Sequence, residues 1–150
     1  MNLSNVTDIA FGTNILNIEI PEHLKRKFAT GLDYFDGALG GEGLTPSCVT
    51  LFTGTPGAGK TTMMLTMADS ITKRGGVCLF NTAEESLYQT AMTAQRLRLK
   101  NGFVTGNTAD VRELIKGARE IMNKRGNKGS SSLWSSILFS VLMTVSTLQV

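Results

Sequence analysis

The sequence is poor in several side chains that carry chemistry, and each scarcity narrows the reading. One histidine, His23, occurs in 150 residues. It has no cysteine or second histidine near it in sequence, so it reads as a surface imidazole and not as a metal ligand or general base. The two cysteines, Cys48 and Cys78, form no C-x-x-C pair. That argues against a zinc site or disulfide framework and predicts two small buried thiols. Charged residues make up only 18% of the chain, slightly below the usual share, while 41% hydrophobic residues suit one globular domain with a real core. Met1 to Ile20 holds two acids and no bases, not the pattern of a secretory leader, and a cytoplasmic protein is expected.

Net charge is +3, but the two signs are unevenly spread. Residues 1–95 hold six Lys/Arg and nine Asp/Glu, a net of −3, and residues 96–150 hold nine against three, a net of +6. The basic part could meet nucleic acid. Arg96, Arg98, Lys100, Arg112, Lys116 and Arg119 could equally be the solvated faces of two helices.

Against this background one stretch stands out, from Val49 to Thr62. Gly54, Gly59, Lys60 and Thr61 fit the G-x-x-x-x-G-K-[ST] phosphate-binding pattern, after an apolar run and before a helix-compatible one. Glycines at 54, 57 and 59 let the backbone curl so that successive N–H groups face an anion, and the following helix adds the positive end of its dipole. The expected cradle is Gly54, Thr55, Pro56, Gly57, Ala58, Gly59, Lys60, Thr61 and Thr62, with Lys60 on the β- and γ-phosphates and the Thr61 hydroxyl on magnesium. A plain strand-to-helix turn would need neither the lysine nor the hydroxyl. ATP and Mg²⁺ are therefore the expected ligands.

The flanking sequence predicts an α/β arrangement. Cys48–Thr53 and Val77–Phe80 read as strands, the second a continuous apolar run suited to a buried parallel strand. Between them Lys60–Lys73 is helical, with Met63, Met64, Met67, Ala68 and Ile71 on one face and Gly75 and Gly76 ending it. The methionine stripe is core packing. Leu32–Leu39 reads as a short helix broken by glycines. Leu87–Leu99 reads as another, with Ala91, Ala94, Leu97 and Met92 inward. Phe103-Val104 suggests an edge strand, and Thr108 is a plausible N-cap for a helix over 109–123. Glu84 and Glu85 follow the second strand, at the edge where ligands of parallel sheets bind. One of them is the candidate base, unless both are first-turn acids complementing a helix dipole.

The pieces Thr30-Gly-Leu-Asp, Leu39-Gly-Gly-Glu-Gly-Leu, the phosphate loop, and Glu84-Glu-Ser-Leu-Tyr-Gln with Ala94-Gln-Arg-Leu together resemble the nucleotide-binding core of RecA-type recombination ATPases, most closely their bacterial RadA (Sms) branch. The resemblance covers Thr30 to Leu99, about half the chain. It implies a RecA-like P-loop NTPase core, a mostly parallel sheet flanked by helices, here ending after about the third core strand. It also implies ATP hydrolysis, action on single-stranded or branched DNA, and homo-oligomers. Glu84 would aim the attacking water, with Glu85 in reserve. An alternative within the superfamily is a clock-type regulatory or oligomerisation module without DNA activity. A phosphoryl-transfer kinase fits the loop alone but not Thr30–Leu44.

The division expected is a segment 1–28 forming an arm or edge, a partial ATPase core over 29–128, and a Ser/Thr-rich apolar tail over 129–150. Such a core calls next for an apolar strand ending in the aspartate that helps hold magnesium, yet no acid follows Glu120. The four-cysteine zinc element often found ahead of these cores is also lacking. The tail admits three readings: a membrane segment weakened by its serines and threonines, a core strand with an apolar extension, or a shifted reading frame. In the last, back-translation from Ser136 onward permits Asp-Ser-Leu-Gln, which resembles the expected strand end.

Overall fold

A computed structural model describes residues 9–45, 48–83, 85–126 and 141–145. The fold is α/β. Its sheet has three strands in the order β2-β1-β3, with β1 Cys78–Thr82 at the centre, β2 Val104–Gly106 on one side and β3 Val141–Val145 on the other. Both pairings are parallel, Leu79 facing Val104 and Leu142, and Phe80 facing Thr105 and Met143. Parallel neighbours require crossovers, and helices supply them: α4 Leu87–Arg96 between β1 and β2, and α5 Val111–Gly126 between β2 and β3.

Every residue of β1 is buried, as the apolar run predicts for a strand covered on both faces. The strand runs two residues past the predicted Phe80 because tertiary hydrogen bonds make polar Asn81 and Thr82 acceptable inside. Asn81 Nδ2 donates to Thr108 O at 2.9 Å and its Oδ1 accepts from Thr108 N–H at 3.2 Å. Thr82 Oγ1 exchanges bonds with the backbone of Glu85. A buried amide or hydroxyl with both partners in place costs little.

The principal core forms where α3, Lys60–Lys73, lies against β1 and β3. Met64, Leu65, Met67, Ala68 and Ile71 are buried there with Cys78, Phe80, Phe35 and Leu44. The helix has the predicted bounds and face, with Leu65 added and Met63 packed at the margin. Removing a side chain such as Leu65, which is fully buried, should cost roughly 3 kcal/mol. Gly75, at φ +85°, ends the helix as its sequence position suggests.

Short elements seal this core. α2, Asp33–Ala38, contributes Phe35, and an isolated antiparallel bridge joins Phe28 to Leu44. Before it lie a 3-10 turn, Ile15–Asn17, and one helical turn, α1, Glu22–Lys25.

Four expectations change. The run Cys48–Thr53 is not a strand: residues 48–55 have no regular structure, and Val49 and Leu51 are exposed. A strand needs a neighbour for its ladder, and among the described residues this run pairs with none. Only Phe52 turns inward, stacking on Phe35 with ring centroids 5.5 Å apart. For the same reason Cys48 is exposed, although Cys78 is buried and its thiol pushed up to about 12 by that burial. In α4, Thr90 is the buried residue while Ala91 and Met92 face outward. Finally, α5 starts at Val111 rather than 109. Asp110 Oδ1 accepts from Arg112 N–H at 2.8 Å, and Thr108 acts one step earlier, accepting from Asp110 N–H and donating to Glu113.

Within the tail, Val141–Val145 pairs along the whole of β1. Residues 127–140 and 146–150 lie outside the described residues. Among the described residues no helix is long and apolar enough to cross a membrane.

Candidate phosphate-binding site

Two devices hold α3 in place, and neither was legible as such in the sequence. The first is a carboxylate staple. Asp36, 7% exposed, accepts from Thr30 N–H at 2.9 Å and the Thr30 hydroxyl at 2.7 Å through Oδ1, and from Gly31 N–H at 3.0 Å through Oδ2. Burial pushes its carboxyl upward, but these donors and the charge of Arg74 together hold it below the usual carboxylate value. Gly31, at φ +83°, sits against the end of α3: a Cβ there would meet Arg74 Nε at 2.6 Å and Ser70 Oγ at 2.7 Å. The signal lay in Thr30-Gly-Leu-Asp, whose partner Asp36 stands six residues from Thr30.

The second device is Asp69. It accepts from Asn101 N–H at 2.7 Å, Asn101 Nδ2 at 2.9 Å and Gly102 N–H at 2.9 Å, fastening the outer side of α3 to the loop before β2. Burial again works against these bonds, and again the bonds win, leaving the carboxyl lowered.

At the other end of the helix the arrangement is the reverse. Gly59 occupies the N-cap in the left-handed region, φ 83° and ψ 15°, and provides no side chain to cap the first turn. The first turn contains no acid, and none occurs between Glu42 and Asp69 in the sequence. Met63 N–H makes the first bond of the helix, to Gly59 O at 2.9 Å. The amides of Lys60, Thr61 and Thr62 precede it, at the positive end of the helix dipole.

The loop before the helix is curled. Gly57 is left-handed at φ +80°, and Ala58 N–H closes a turn onto Thr55 O at 3.2 Å. Residues 53–59 are all exposed, whereas Lys60, Thr61 and Thr62 are half-buried. Lys60 folds back over the curl, its Nζ donating to Gly54 O at 2.6 Å and Thr55 O at 3.0 Å. Gly54, Thr55, Pro56, Gly57, Ala58, Gly59, Lys60, Thr61 and Thr62 thus form one exposed curl and the helix turn after it, with the Lys60 ammonium held against the curl. These residues fit an anion: backbone donors, one cation, no competing carboxylate, and a hydroxyl at position 61 for a cation that accompanies the anion.

Of the two candidate bases, Glu84 lies outside the described residues. Glu85 is exposed, and its side chain borders a shallow hollow with Gln89, Met92, Thr93 and Arg96, along the outer face of α4. No loop residue lines that hollow. The helix behind it is well started: Ser86 accepts from Gln89 N–H, and the Gln89 side chain accepts from Ser86 N–H, a reciprocal capping box. Among the described residues no cluster of His, Cys, Asp or Glu could hold a metal ion unaided. A cation here would have to share its shell with a bound phosphate.

The chain is 38% identical over 78 residues to the DNA repair protein RadA of Mycobacterium tuberculosis, 52% of this chain and 16% of that one. It is 44% identical over 73 residues to the DNA repair protein RadA of Escherichia coli, 49% of this chain and 15% of that one. With that of Aquifex aeolicus the figures are 42% over 72 residues, 48% and 16%. No protein-family model matches the chain, and no solved structure does. About half of this chain is therefore RadA-like, in a stretch that makes up 15–16% of the RadA proteins themselves.

Proposed function

We propose that the chain binds ATP with magnesium at the loop 54–62 and is the nucleotide-binding part of a RecA-like, RadA-type DNA repair ATPase. One observation carries the reading: a left-handed Gly59 opens α3 with neither a side-chain cap nor an acid, while Lys60 is folded into the curl before it. The similarity to proteins named DNA repair protein RadA supports the choice of cellular role.

In this reading the β- and γ-phosphates take the loop amides and exchange the Lys60 ammonium from two carbonyls to phosphate oxygens. The gain is large because an ammonium prefers an anion to a neutral carbonyl. Magnesium, when bound, neutralises charge on the phosphates, and the Thr61 hydroxyl joins its shell. Positioning and electrostatics account for such chemistry, with no covalent step assigned to the protein. Glu84 orients water in the RadA-type reading, with Glu85 second. Activity on single-stranded or branched DNA, assembly into homo-oligomers and a cytoplasmic address accompany the same proposal.

A titration with a fluorescent ATP analogue, competed by ATP, ADP, pyrophosphate and adenosine, tests it. Competition by ATP, ADP and pyrophosphate but not adenosine is expected, since the recognition resides in the phosphates. Competition by adenosine alone would remove the loop from the account. A second reading, a regulatory nucleotide-binding module without DNA activity, is separated by salt-dependent binding of single-stranded DNA, which counterion release requires of a true DNA ligand.

A further inference from the structure

The last two residues of β1 are polar in a strand that is otherwise apolar, and each spends its side chain on a loop. Asn81, 1% exposed, bonds both backbone groups of Thr108 in the loop between β2 and α5. Thr82, 2% exposed, does the same for the loop between β1 and α4. Its Oγ1 donates to Glu85 O at 3.0 Å and accepts from Glu85 N–H at 3.1 Å. One hydroxyl thus commits its donor and an acceptor to a single residue three positions on. Both loops leave the carboxyl edge of the parallel sheet, the edge where ligands of such sheets bind.

The fold alone does not call for the Thr82 tie. Ala83 and Glu85 are exposed, so water could satisfy the Glu85 backbone. A valine in place of Thr82 has the same branched shape and suits a buried strand. The other flank of the turn is fastened too, since Ser86 and Gln89 close the reciprocal cap of α4 immediately after Glu85. The strand end is pinned in turn, Asn81 facing Gly106 on one side and Thr82 facing Val145 on the other. Residues 83–85 therefore span only three positions between a pinned strand and a capped helix, and two of the three are the acids Glu84 and Glu85.

We propose that Thr82 is a positioning residue for ATP hydrolysis: its hydroxyl fixes the turn from which an acid orients the attacking water. The inference rests on the nucleotide reading above and adds to it the group that sets the acid's place. In the step itself the water oxygen bonds the γ-phosphorus while the bond to the ADP oxygen breaks and leaves its electron pair there. One water proton stays on the released phosphate and the other passes to solvent. Thr82 touches none of these atoms. It acts by restraining the turn, and a displacement of about 1 Å in a water-orienting group is enough to cost about a hundredfold in rate.

Thr82→Val and Thr82→Ser test it beside the wild type, through the affinity for MgATP, kcat and KM for phosphate release, and amide hydrogen exchange at Glu85. Thr82→Val keeps the shape and drops the hydroxyl. It should bind MgATP within about twofold of the wild type and lose about ten- to one-hundredfold in kcat with KM unchanged. Its Glu85 amide should exchange faster. Thr82→Ser keeps the hydroxyl, and its kcat should return to within about threefold of the wild type. A valine chain with wild-type kcat or wild-type exchange at Glu85 overturns the inference. So does a serine chain as slow as the valine one, a loss of kcat matched by an equal loss of MgATP affinity, or a wild type that binds MgATP and releases no phosphate. A wild type that binds no MgATP removes the nucleotide reading and this inference together, an outcome that the affinity measurement identifies by itself.

Discussion

At its carboxyl end, helix α3 lays Ser70 and Arg74 against Gly31, beside a carboxylate whose oxygens are taken by Thr30 and Gly31. At its amino end the same helix has no side-chain cap and no acid, and the chain before it is exposed from 53 to 59. One end spends its polar groups on the fold, and the other keeps its backbone donors available. The contrast teaches why an exposed, glycine-dependent loop can persist: the helix it leads into is fixed by Asp36, Asp69 and the apolar face from Met64 to Ile71.

If the two ends are separable in this way, substitutions at each should have separable readouts. The largest effect on stability is expected for Asp36→Ala, which leaves the buried Thr30 donors and the half-buried Gly31 N–H without their acceptor. A loss of about 3 kcal/mol in urea unfolding is expected, with the stabilisation added by MgATP retained in full. Loss of that increment as well would show the ends to be coupled. Gly59→Ala comes next. Its left-handed backbone should cost about 1–2 kcal/mol, and here the MgATP increment should fall too, because the loop itself is distorted. Ser86→Ala, at the capping box of α4, should cost about 1 kcal/mol without touching nucleotide binding, which marks the background for a change remote from both ends.

The smallest effect is expected from pH. A folded carboxyl held below its ordinary value of 3.8 contributes stability in full above that value. The contribution is lost as pH falls below 3.8 through the lower folded-state value, since protons then bind the unfolded chain first. Chemical denaturation from pH 6 to 2.5 should show the Asp36→Asn chain with a shallower decline than the wild type. Equal slopes would remove Asp36 from the acid response.

Legibility in the sequence divides along the same lines. The glycine curl at 54–59 and α3 were readable because their signals are local: glycines at fixed offsets, then a methionine face at helical spacing. The burial of β1 was readable too, as an apolar run, though its last two residues were not. Asn81 and Thr82 are polar and are kept inside only by partners at Thr108 and Glu85. The staple escaped because Asp36 looks like any first-turn acid of a short helix until the chain folds back on Thr30. Cys48–Thr53 shows the converse failure: its composition is that of a strand, but strand formation also requires pairing with a neighbour, a property no single segment contains.

The central claim is that the amino end of α3 holds a triphosphate through its amides and Lys60. The most direct test is thermal unfolding of the wild type and Lys60→Ala, each with and without MgATP. Lys60 bonds only exposed carbonyls, so the unliganded chains should melt alike, within about 0.5 kcal/mol of each other. With nucleotide at about one hundred times its dissociation constant the wild type should gain about 2.7 kcal/mol, and the alanine chain almost nothing. A folded wild type whose melting MgATP leaves unmoved, or a Lys60→Ala chain stabilised as strongly, would contradict the account.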